Sequence, residues 1–273
     1  MSGRDVCAVV LAAGEGRRLR PLTEHLPKAL CPVGNVPLLD RALARVEALG
    51  LPVAVNACYL GHLVAEHVGD RAHLSVEPGD PLGTAGGIGL LRDWIGGRGV
   101  LVGNADAYLA SDSLPPGADI AALLEDWDGR EARVLGVPGP PNEFGGHRFA
   151  GFSLLPWDLV AALEPEPSDL VRLVWRPAER QGRLRVVEYP GTYLDTGTPA
   201  DYLAANLHAV HPGNLIGEDA LVTGALDRAV IGARAVVAGD VTRGVVWPGG
   251  EVAADEKLTD AIRVGRGLTV PAH

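Results

Sequence analysis

The chain has 273 residues, 47% of them hydrophobic, and a formal net charge of −10. This length and composition are sufficient for a large buried core, in one domain with or without an appended segment. The acidic balance argues against binding to nucleic acid or anionic membrane surfaces, and no apolar run approaches transmembrane length. Three cysteines without metal-ligand spacing predict reduced thiols in a cytoplasmic protein.

The first informative stretch joins a strand to a glycine-containing loop. Val6 to Leu11 is a short apolar run that predicts a strand buried on both faces. The small residues of the next segment, 12–16, let backbone N–H groups approach an anion closely. Three arginines follow within residues 17–20, and then comes Lys28, one of only two lysines among 24 basic residues. Glycines and positive charge at a strand end indicate a polyphosphate site.

Strands and helices then alternate along the chain. This pattern predicts parallel βαβ units in a doubly wound α/β sheet, with ligands beyond the carboxyl ends of the strands. The predicted strands are 51–59, 73–77, 99–109, 132–137, 148–155 and 184–189. The predicted helices are 36–49, 61–68, 120–127, 159–163 and 169–180.

Three turns carry residues that a plain connection does not require. The segment 77–89, E-P-G-D-P-L-G-T-A-G-G-I-G, places small residues at a helix start, where a flat ligand could lie against the backbone. Asp106 closes the turn after a buried strand. Thr198 as N-cap and Pro199 at the first helical position explain the start of a later helix, and Asp195 is not needed for that cap.

The pattern changes after residue 212. Apolar residues now recur at six-residue spacing, which predicts a short left-handed β-helix of about three coils, each made of three hexapeptides. The residues that carry this spacing are Ile216, Val222, Ile231, Val237, Val246, Val252 and Leu258. We therefore expect two domains, 1–212 and 213–273; an irregular β extension is the alternative for the second.

These motifs together resemble a known family, the sugar nucleotidylyltransferases. Residues 11–28 resemble its signature L-A-A-G-x-G-T-R-L-x-P-x-T followed by P-K, with Arg17 where the family usually has Thr. Residues 81–86, P-L-G-T-A-G, and 193–199, Y-L-D-T-G-T-P, are similar to two further family motifs. Asn104-Ala105-Asp106 resembles a third, N-G-D. If the family's glycine is needed because the backbone has a positive φ there, Ala105 in its place destabilises the local backbone by roughly 1 kcal/mol or more.

The resemblance implies a fold, a reaction and a set of residues. The fold is a Rossmann-like doubly wound mixed sheet, and the reaction joins an NTP to a sugar 1-phosphate with release of pyrophosphate, assisted by Mg²⁺. The implied catalytic residues are Arg18, Lys28, Asp106 and Asp195, the two aspartates also being the metal ligands. The implied nucleotide-binding residues are Leu11, Ala12, Ala13, Gly14, Gly16, Glu77, Leu82, Gly83, Thr84 and Asn104.

On the sugar side, the resemblance implies that Gly151 faces the sugar, and a bulge is the alternative explanation for this glycine. The family's E-K-P motif, whose lysine contacts the sugar phosphate, is absent. Arg133, His147 and Arg148 remain open as its replacement.

The choice of nucleotide depends on Glu77, which lies where several pyrimidine-using relatives carry Gln. A carboxylate suits the two adjacent donors of guanine, N1–H and N2–H, which favours GTP with mannose 1-phosphate. The segment 85–88 instead resembles the UTP-dependent enzymes that act on N-acetylmuramate 1-phosphate. An exposed structural role for Glu77 is the third alternative.

Two expectations concern the whole molecule. A few β-helix coils leave apolar faces and strand edges uncovered, so we expect a homo-oligomer joined through the tail. A non-catalytic paralogue that binds an NDP-sugar is the rival to an enzyme; the presence of all four implied catalytic residues favours the enzyme.

Overall fold

The computed structural model describes residues 6–273, which form two compact units. One includes the described chain up to Glu15 together with Leu39–Tyr193, and the other consists of Gly16–Leu38 and Leu194–His273. Each unit is thus made from two separate stretches of sequence. The first five residues of the predicted domain 1–212 lie outside the described residues, and its boundary with the tail stays a prediction.

The first unit contains a seven-stranded mixed sheet, as expected for a doubly wound α/β fold. Its strands are parallel to their neighbours, except that His147–Leu155 runs antiparallel to both of the strands beside it. The spatial order is Leu184–Glu188, Ala132–Pro138, His147–Leu155, Gly99–Asn104, Val6–Leu11, Val53–Ala57 and His73–Val76. Two shorter strands are Tyr108–Ala110 and Thr192–Leu194.

Helices cover this sheet because their apolar faces pack on the strands. Ile88, Leu91 and Ile95 are buried in one core with Val9 and Val100 of the central strands. The α-helices of this part of the chain are Leu38–Ala48, Gly61–Val68, Gly83–Leu90, Arg92–Ile95, Trp157–Val160 and Arg176–Arg180.

Three of the predicted helices differ from the structure. The predicted helix 120–127 is a single 3₁₀ turn, Ala121–Leu123, because Asp126 adopts a left-handed φ of 52° that a helix cannot continue through. The predicted helix 159–163 is instead Trp157–Val160. The predicted helix 169–180 begins with a π turn, Val171–Trp175, before the α-helix Arg176–Arg180.

The second unit begins with the arginine- and lysine-bearing segment. It makes 3₁₀ turns at Arg17–Leu19, Leu22–Glu24 and Lys28–Leu30, followed by a hairpin of Pro32–Val33 and Val36–Pro37. The helix Pro199–Ala209 follows Asp195, and the Thr198 side chain accepts the N–H of Asp201 as the predicted N-cap.

The tail is a short parallel β-helix, as predicted. Leu215, Val230 and Val245 are aligned, so one coil takes 15 residues rather than the 18 of three full hexapeptides. The shortening lies after Val222 and Val237, where the next strands begin at Leu226 and Asp240. The strands are Leu215–Ile216, Leu221–Val222, Leu226–Asp227, Val230–Ile231, Val236–Val237, Asp240–Val246, Glu251–Val252, Lys257–Val264 and Leu268–Pro271, the last pairing antiparallel with Lys257–Val264.

The tail and residues 16–38 belong to the same unit and are connected by hydrogen bonds. Asn35 donates from Nδ2 to the Ile231 carbonyl at 2.8 Å. Trp247 donates to the Tyr202 hydroxyl at 3.0 Å, and that hydroxyl donates to the Pro32 carbonyl. No helix within residues 6–273 is long and hydrophobic enough to cross a bilayer.

Candidate active site

Gly16 is the last residue of the signature loop, residues 12–16, and it lies against Lys28. Gly16 has φ 62°, and its carbonyl accepts a hydrogen bond from the Thr23 hydroxyl at 2.9 Å. A Cβ on Gly16 would lie 2.9 Å from the Lys28 Cβ, so the loop has no room for a side chain here. The lysine side chain is only 8% exposed. Since burying an ammonium group is costly without a compensating anion, this position predicts a negative partner for Lys28.

Asp195 lies between the two cations that the resemblance implies. Its Oδ2 is 3.7 Å from Nη2 of Arg18, and its Oδ1 is 4.0 Å from Nζ of Lys28. Gly197 makes room for the guanidinium, because a Cβ there would lie 2.6 Å from the same Arg18 nitrogen. Both distances exceed those of a direct charge-assisted hydrogen bond. Asp195 therefore attracts both cations without a direct hydrogen bond at these atoms, and its side chain is 29% exposed.

Cys31, three residues after Lys28, does not add a nucleophile to this cluster. Burial raises the pKa of its thiol to about 12, although the nearby Lys28 acts in the opposite direction. Burial likewise raises the pKa of Cys7 to about 11. All three cysteines are free.

In the first unit, three strands end together at the predicted ligand-binding edge. Leu11 is aligned with Asn56 on one side and with Asn104 on the other. The Ala105 N–H donates to the Leu11 carbonyl at 3.0 Å, which fixes the turn that carries Asp106. Ala105 is not among the residues with a positive φ, so the expected cost of replacing the family's glycine does not arise.

Glu77 is buried, not exposed. It is 3% exposed, and each of its carboxylate oxygens already accepts a protein hydrogen bond. Oε1 accepts from Nδ2 of Asn56 at 2.6 Å, and Oε2 accepts from the Leu82 N–H at 2.8 Å. The interpretation of Glu77 as an exposed structural residue is therefore wrong. If Glu77 also bound the base, its oxygens would have to accept hydrogen bonds from the base in addition to those from Asn56 and Leu82.

Asn56 is the residue that sequence reasoning missed. Its Oδ1 accepts the Ala12 N–H at 2.7 Å, so it connects the signature loop with Glu77. The available signal was a single amide side chain at the end of an otherwise apolar strand. Because a buried amide needs partners, that position already indicated a hydrogen-bond network.

The segment around Leu82, Gly83 and Thr84 is held by protein backbone. The Ser168 N–H donates to the Leu82 carbonyl and the Leu170 N–H donates to the Thr84 hydroxyl, both at 2.9 Å. A Cβ on Gly83 would lie 2.4 Å from the Ser168 carbonyl oxygen. Close packing within the protein thus explains this glycine without a ligand.

The residues considered for the sugar side of the site differ in their burial and in the groups that they contact. Gly151 has φ 82°, and a Cβ there would lie 2.3 Å from the Ala107 Cβ, so packing beside the Asp106 turn requires a glycine. Arg133 is 3% exposed and bonds to Glu131 and to the Leu123 carbonyl, which leaves it unsuited to a substrate. Arg148 is half-buried, with its guanidinium 4.9 Å from the centre of the Tyr193 ring.

The described residues offer few side chains that could bind a metal ion, and the candidates are carboxylates. Among residues 6–273, no three His, Cys, Asp or Glu side chains form a group that could hold a metal alone. Mg²⁺ typically needs only one or two carboxylates, with substrate phosphate and water completing its shell. Asp106 and Asp195 each carry a carboxylate, the ligand type that Mg²⁺ prefers.

Comparison with known proteins decides the family. A sequence model of the Nucleotidyl transferase family matches residues 7–140, which include the signature loop, Glu77 and Asp106. The low-salt glycan biosynthesis nucleotidyltransferase Agl11 of Haloferax volcanii is 30% identical over 262 residues, covering 81% of this chain and 72% of that protein. The chain belongs to the nucleotidyl transferase family. The expectation of a nucleotidyltransferase enzyme is thereby confirmed.

Other similar proteins are named for different nucleotides and sugars. An N-acetylmuramate α-1-phosphate uridylyltransferase of Neisseria meningitidis is 29% identical over 214 residues, covering 70% of this chain and 93% of that protein. A mannose-1-phosphate guanylyltransferase of Mycobacterium tuberculosis is 33% identical over 154 residues, 53% of this chain and 41% of that protein. A solved Bacillus anthracis structure, described as a glucose-1-phosphate thymidylyltransferase, shares the fold with a TM-score of 0.64 at 20% identity, covering 75% of this chain and 95% of that chain.

Proposed function

We propose that this nucleotidyltransferase joins an NTP to a sugar 1-phosphate, forming an NDP-sugar and pyrophosphate. The observation that carries the proposal is the cluster of Arg18, Lys28 and Asp195 behind the left-handed turn at Gly16. Two cations beside a glycine loop suit a triphosphate, and the N. meningitidis and M. tuberculosis relatives are named for N-acetylmuramate 1-phosphate and mannose 1-phosphate.

The reaction needs alignment and charge neutralisation rather than a protein nucleophile. A phosphate oxygen of the sugar 1-phosphate attacks the α-phosphorus, the bond from that phosphorus to the bridging oxygen of the β-phosphate breaks, and pyrophosphate leaves with the electron pair. The nucleophile is already an anion, so no general base is required. In this proposal Lys28 holds the α-phosphate and Arg18 faces the departing pyrophosphate, which lowers the repulsion between two anionic substrates.

In this proposal a divalent cation, Mg²⁺, would be held by the carboxylates of Asp106 and Asp195. When bound, it supplies further neutralisation of phosphate charge and a template for the nucleotide. Asp195 would then exchange its loose contacts with Arg18 and Lys28, at 3.7 and 4.0 Å, for a shared role in holding the triphosphate.

The first substrate pair is GTP with mannose 1-phosphate. Support comes from the M. tuberculosis guanylyltransferase, which is 33% identical over 154 residues. Glu77 gives this choice less support than its sequence position implies, because its oxygens are bonded to Asn56 and Leu82.

UTP with N-acetylmuramate 1-phosphate is the second candidate. The observation that favours it is the extent of the alignment: this chain covers 93% of the N. meningitidis uridylyltransferase. We further propose a cytoplasmic homo-oligomer joined through the tail, where Ile216, Leu221 and Val236 are exposed.

A substrate matrix tests the function. Each NTP is combined with each of several sugar 1-phosphates, including mannose and N-acetylmuramate 1-phosphate, and pyrophosphate release is measured with Mg²⁺. We expect release only when both substrates are present. No release with any pair would contradict catalysis and favour a protein that only binds an NDP-sugar.

A further inference from the structure

Glu77 and Asn56 connect two loops of the first unit through a continuous chain of hydrogen bonds. The Ala12 N–H donates to Oδ1 of Asn56, Nδ2 of Asn56 donates to Oε1 of Glu77, and the Leu82 N–H donates to Oε2 of Glu77. Ala12 belongs to the signature loop and Leu82 precedes the helix Gly83–Leu90. The resemblance to the sugar nucleotidylyltransferases implies that both loops contact the nucleotide.

The direction of every bond in this chain is fixed. A backbone N–H can only donate, so Ala12 requires an oxygen from Asn56, which turns the amide nitrogen towards Glu77. Leu82 requires a second oxygen from Glu77. A residue with two acceptors is therefore needed at position 77, and a glutamine there would place an NH₂ group against another donor.

Burial makes this requirement strict. All four residues are less than 10% exposed, at 4% for Ala12, 1% for Asn56, 3% for Glu77 and 8% for Leu82. The helix Gly83–Leu90 also lies directly on the pair. A Cβ on Gly87 would be 2.6 Å from Nδ2 of Asn56 and 2.8 Å from Oε1 of Glu77. With little access for water, an unmatched donor in this network has no replacement partner.

We infer that Glu77 and Asn56 are positioning residues that hold the signature loop and the loop before Gly83 in their nucleotide-binding arrangement, and that Glu77 does not select the base. The inference rests on the proposed function. It implies that disturbing the network weakens every NTP to the same degree, whereas a base-reading Glu77 would affect GTP and UTP unequally.

The fixed bond directions allow a swap experiment. Glu77→Gln opposes two donors, and Asn56→Asp opposes two carboxylates. The double variant Asn56→Asp/Glu77→Gln restores every bond. Its new carboxylate at position 56 accepts from the Ala12 N–H and from the new amide nitrogen at position 77, while the amide oxygen at position 77 accepts from the Leu82 N–H. The matched control is Glu66→Gln, at an exposed glutamate on the helix Gly61–Val68.

We expect each single variant to raise the KM of both GTP and UTP about tenfold, the scale for one mismatched buried hydrogen bond, with kcat changing less than about threefold. The GTP-to-UTP ratio of kcat/KM should stay constant, the double variant should return KM to within about threefold of the wild-type value, and Glu66→Gln should change nothing. A changed ratio in Glu77→Gln, or a folded double variant with KM still raised about tenfold, would overturn the inference.

Nucleotide binding measured by calorimetry separates this inference from the proposed function. An inactive wild type would refute the function. The Kd values of GTP and UTP for wild type, the two single variants and the double variant would still test the hydrogen-bond network. Should the single variants fail to fold, the double variant decides: wild-type Kd values for both nucleotides support the network, and a folded double variant with weakened binding contradicts it.

Discussion

The two units each contain a buried or half-buried carboxylate that the sequence places in the active site, and their surroundings differ. Glu77 is 3% exposed, and its oxygens lie 2.6 and 2.8 Å from two neutral protein donors. The side chain of Asp195 is 29% exposed, and its oxygens lie 3.7 and 4.0 Å from two cations. Short hydrogen bonds in a buried network identify a framework carboxylate, whereas a partly exposed carboxylate beside two cations is accessible to a substrate or a metal ion.

The largest expected effect is the loss of an aspartate. Asp195→Asn and Asp106→Asn should each lower kcat by roughly 10³-fold, because each removes a charge that the proposal assigns to holding Mg²⁺ and substrate phosphate. The measurement is steady-state turnover with and without excess chelator, alongside thermal melting to check folding. Asp227→Asn is the matched control, since that side chain is 64% exposed in the tail. Full activity in chelator would rule out the metal assignment.

The next effect concerns Lys28. Lys28→Ala should lower kcat/KM by roughly 10²–10³-fold, the scale for removing one aimed electrostatic group, and Lys28→Arg should restore only part of it. Lys257→Ala is the control, because it removes the chain's other lysine, which is exposed in the tail. Activity of Lys28→Ala within about threefold of wild type would contradict its phosphate-binding role.

Gly197→Ala tests the position of Arg18 beside Asp195 without removing either charge. Its new Cβ would meet the end of the flexible Arg18 side chain at 2.6 Å, so the guanidinium must shift while the backbone stays in place. We expect kcat/KM to fall about tenfold with little change in melting temperature. The control is Gly267→Ala, where a Cβ has no neighbour within 4 Å. An unchanged rate would show that the position of Arg18 in this structure is not the reactive one.

The smallest effect on activity is expected in the tail. Leu221 and Val236 are aligned neighbours, 66% and 43% exposed, on the face proposed to join subunits. Leu221→Ser/Val236→Ser should shift the mass measured by light scattering towards the monomer and leave the rate per active site within about threefold. A monomeric wild type would refute assembly through the tail.

Local sequence patterns predicted much of the fold. Strand Val6–Leu11, helix Gly61–Val68, the cap at Thr198 and the β-helical tail all follow from hydrophobic spacing or from one capping residue. These features depend on neighbours within a few residues, which is the range over which such patterns carry information.

Contacts between distant parts of the chain could not be predicted in the same way. Asn56 and Glu77 are 21 residues apart, and Asn35 and Ile231 are 196 apart, so no local spacing indicates that they meet. The resemblance named Glu77 as a site residue, but only the fold shows that the protein's own donors occupy its oxygens. The packing of residues 16–38 with the tail was missed for the same reason.

The most direct test of the account compares the two carboxylates in one assay. Wild type, Asp195→Asn and Glu77→Gln are each incubated with Mg²⁺, a sugar 1-phosphate and an NTP at saturating concentration, and the NDP-sugar and pyrophosphate are quantified by phosphorus NMR. We expect equal amounts of both products for wild type, near-wild-type turnover for Glu77→Gln and almost no turnover for Asp195→Asn. Equal loss of turnover in the two variants, or pyrophosphate formed without an NDP-sugar, would contradict it.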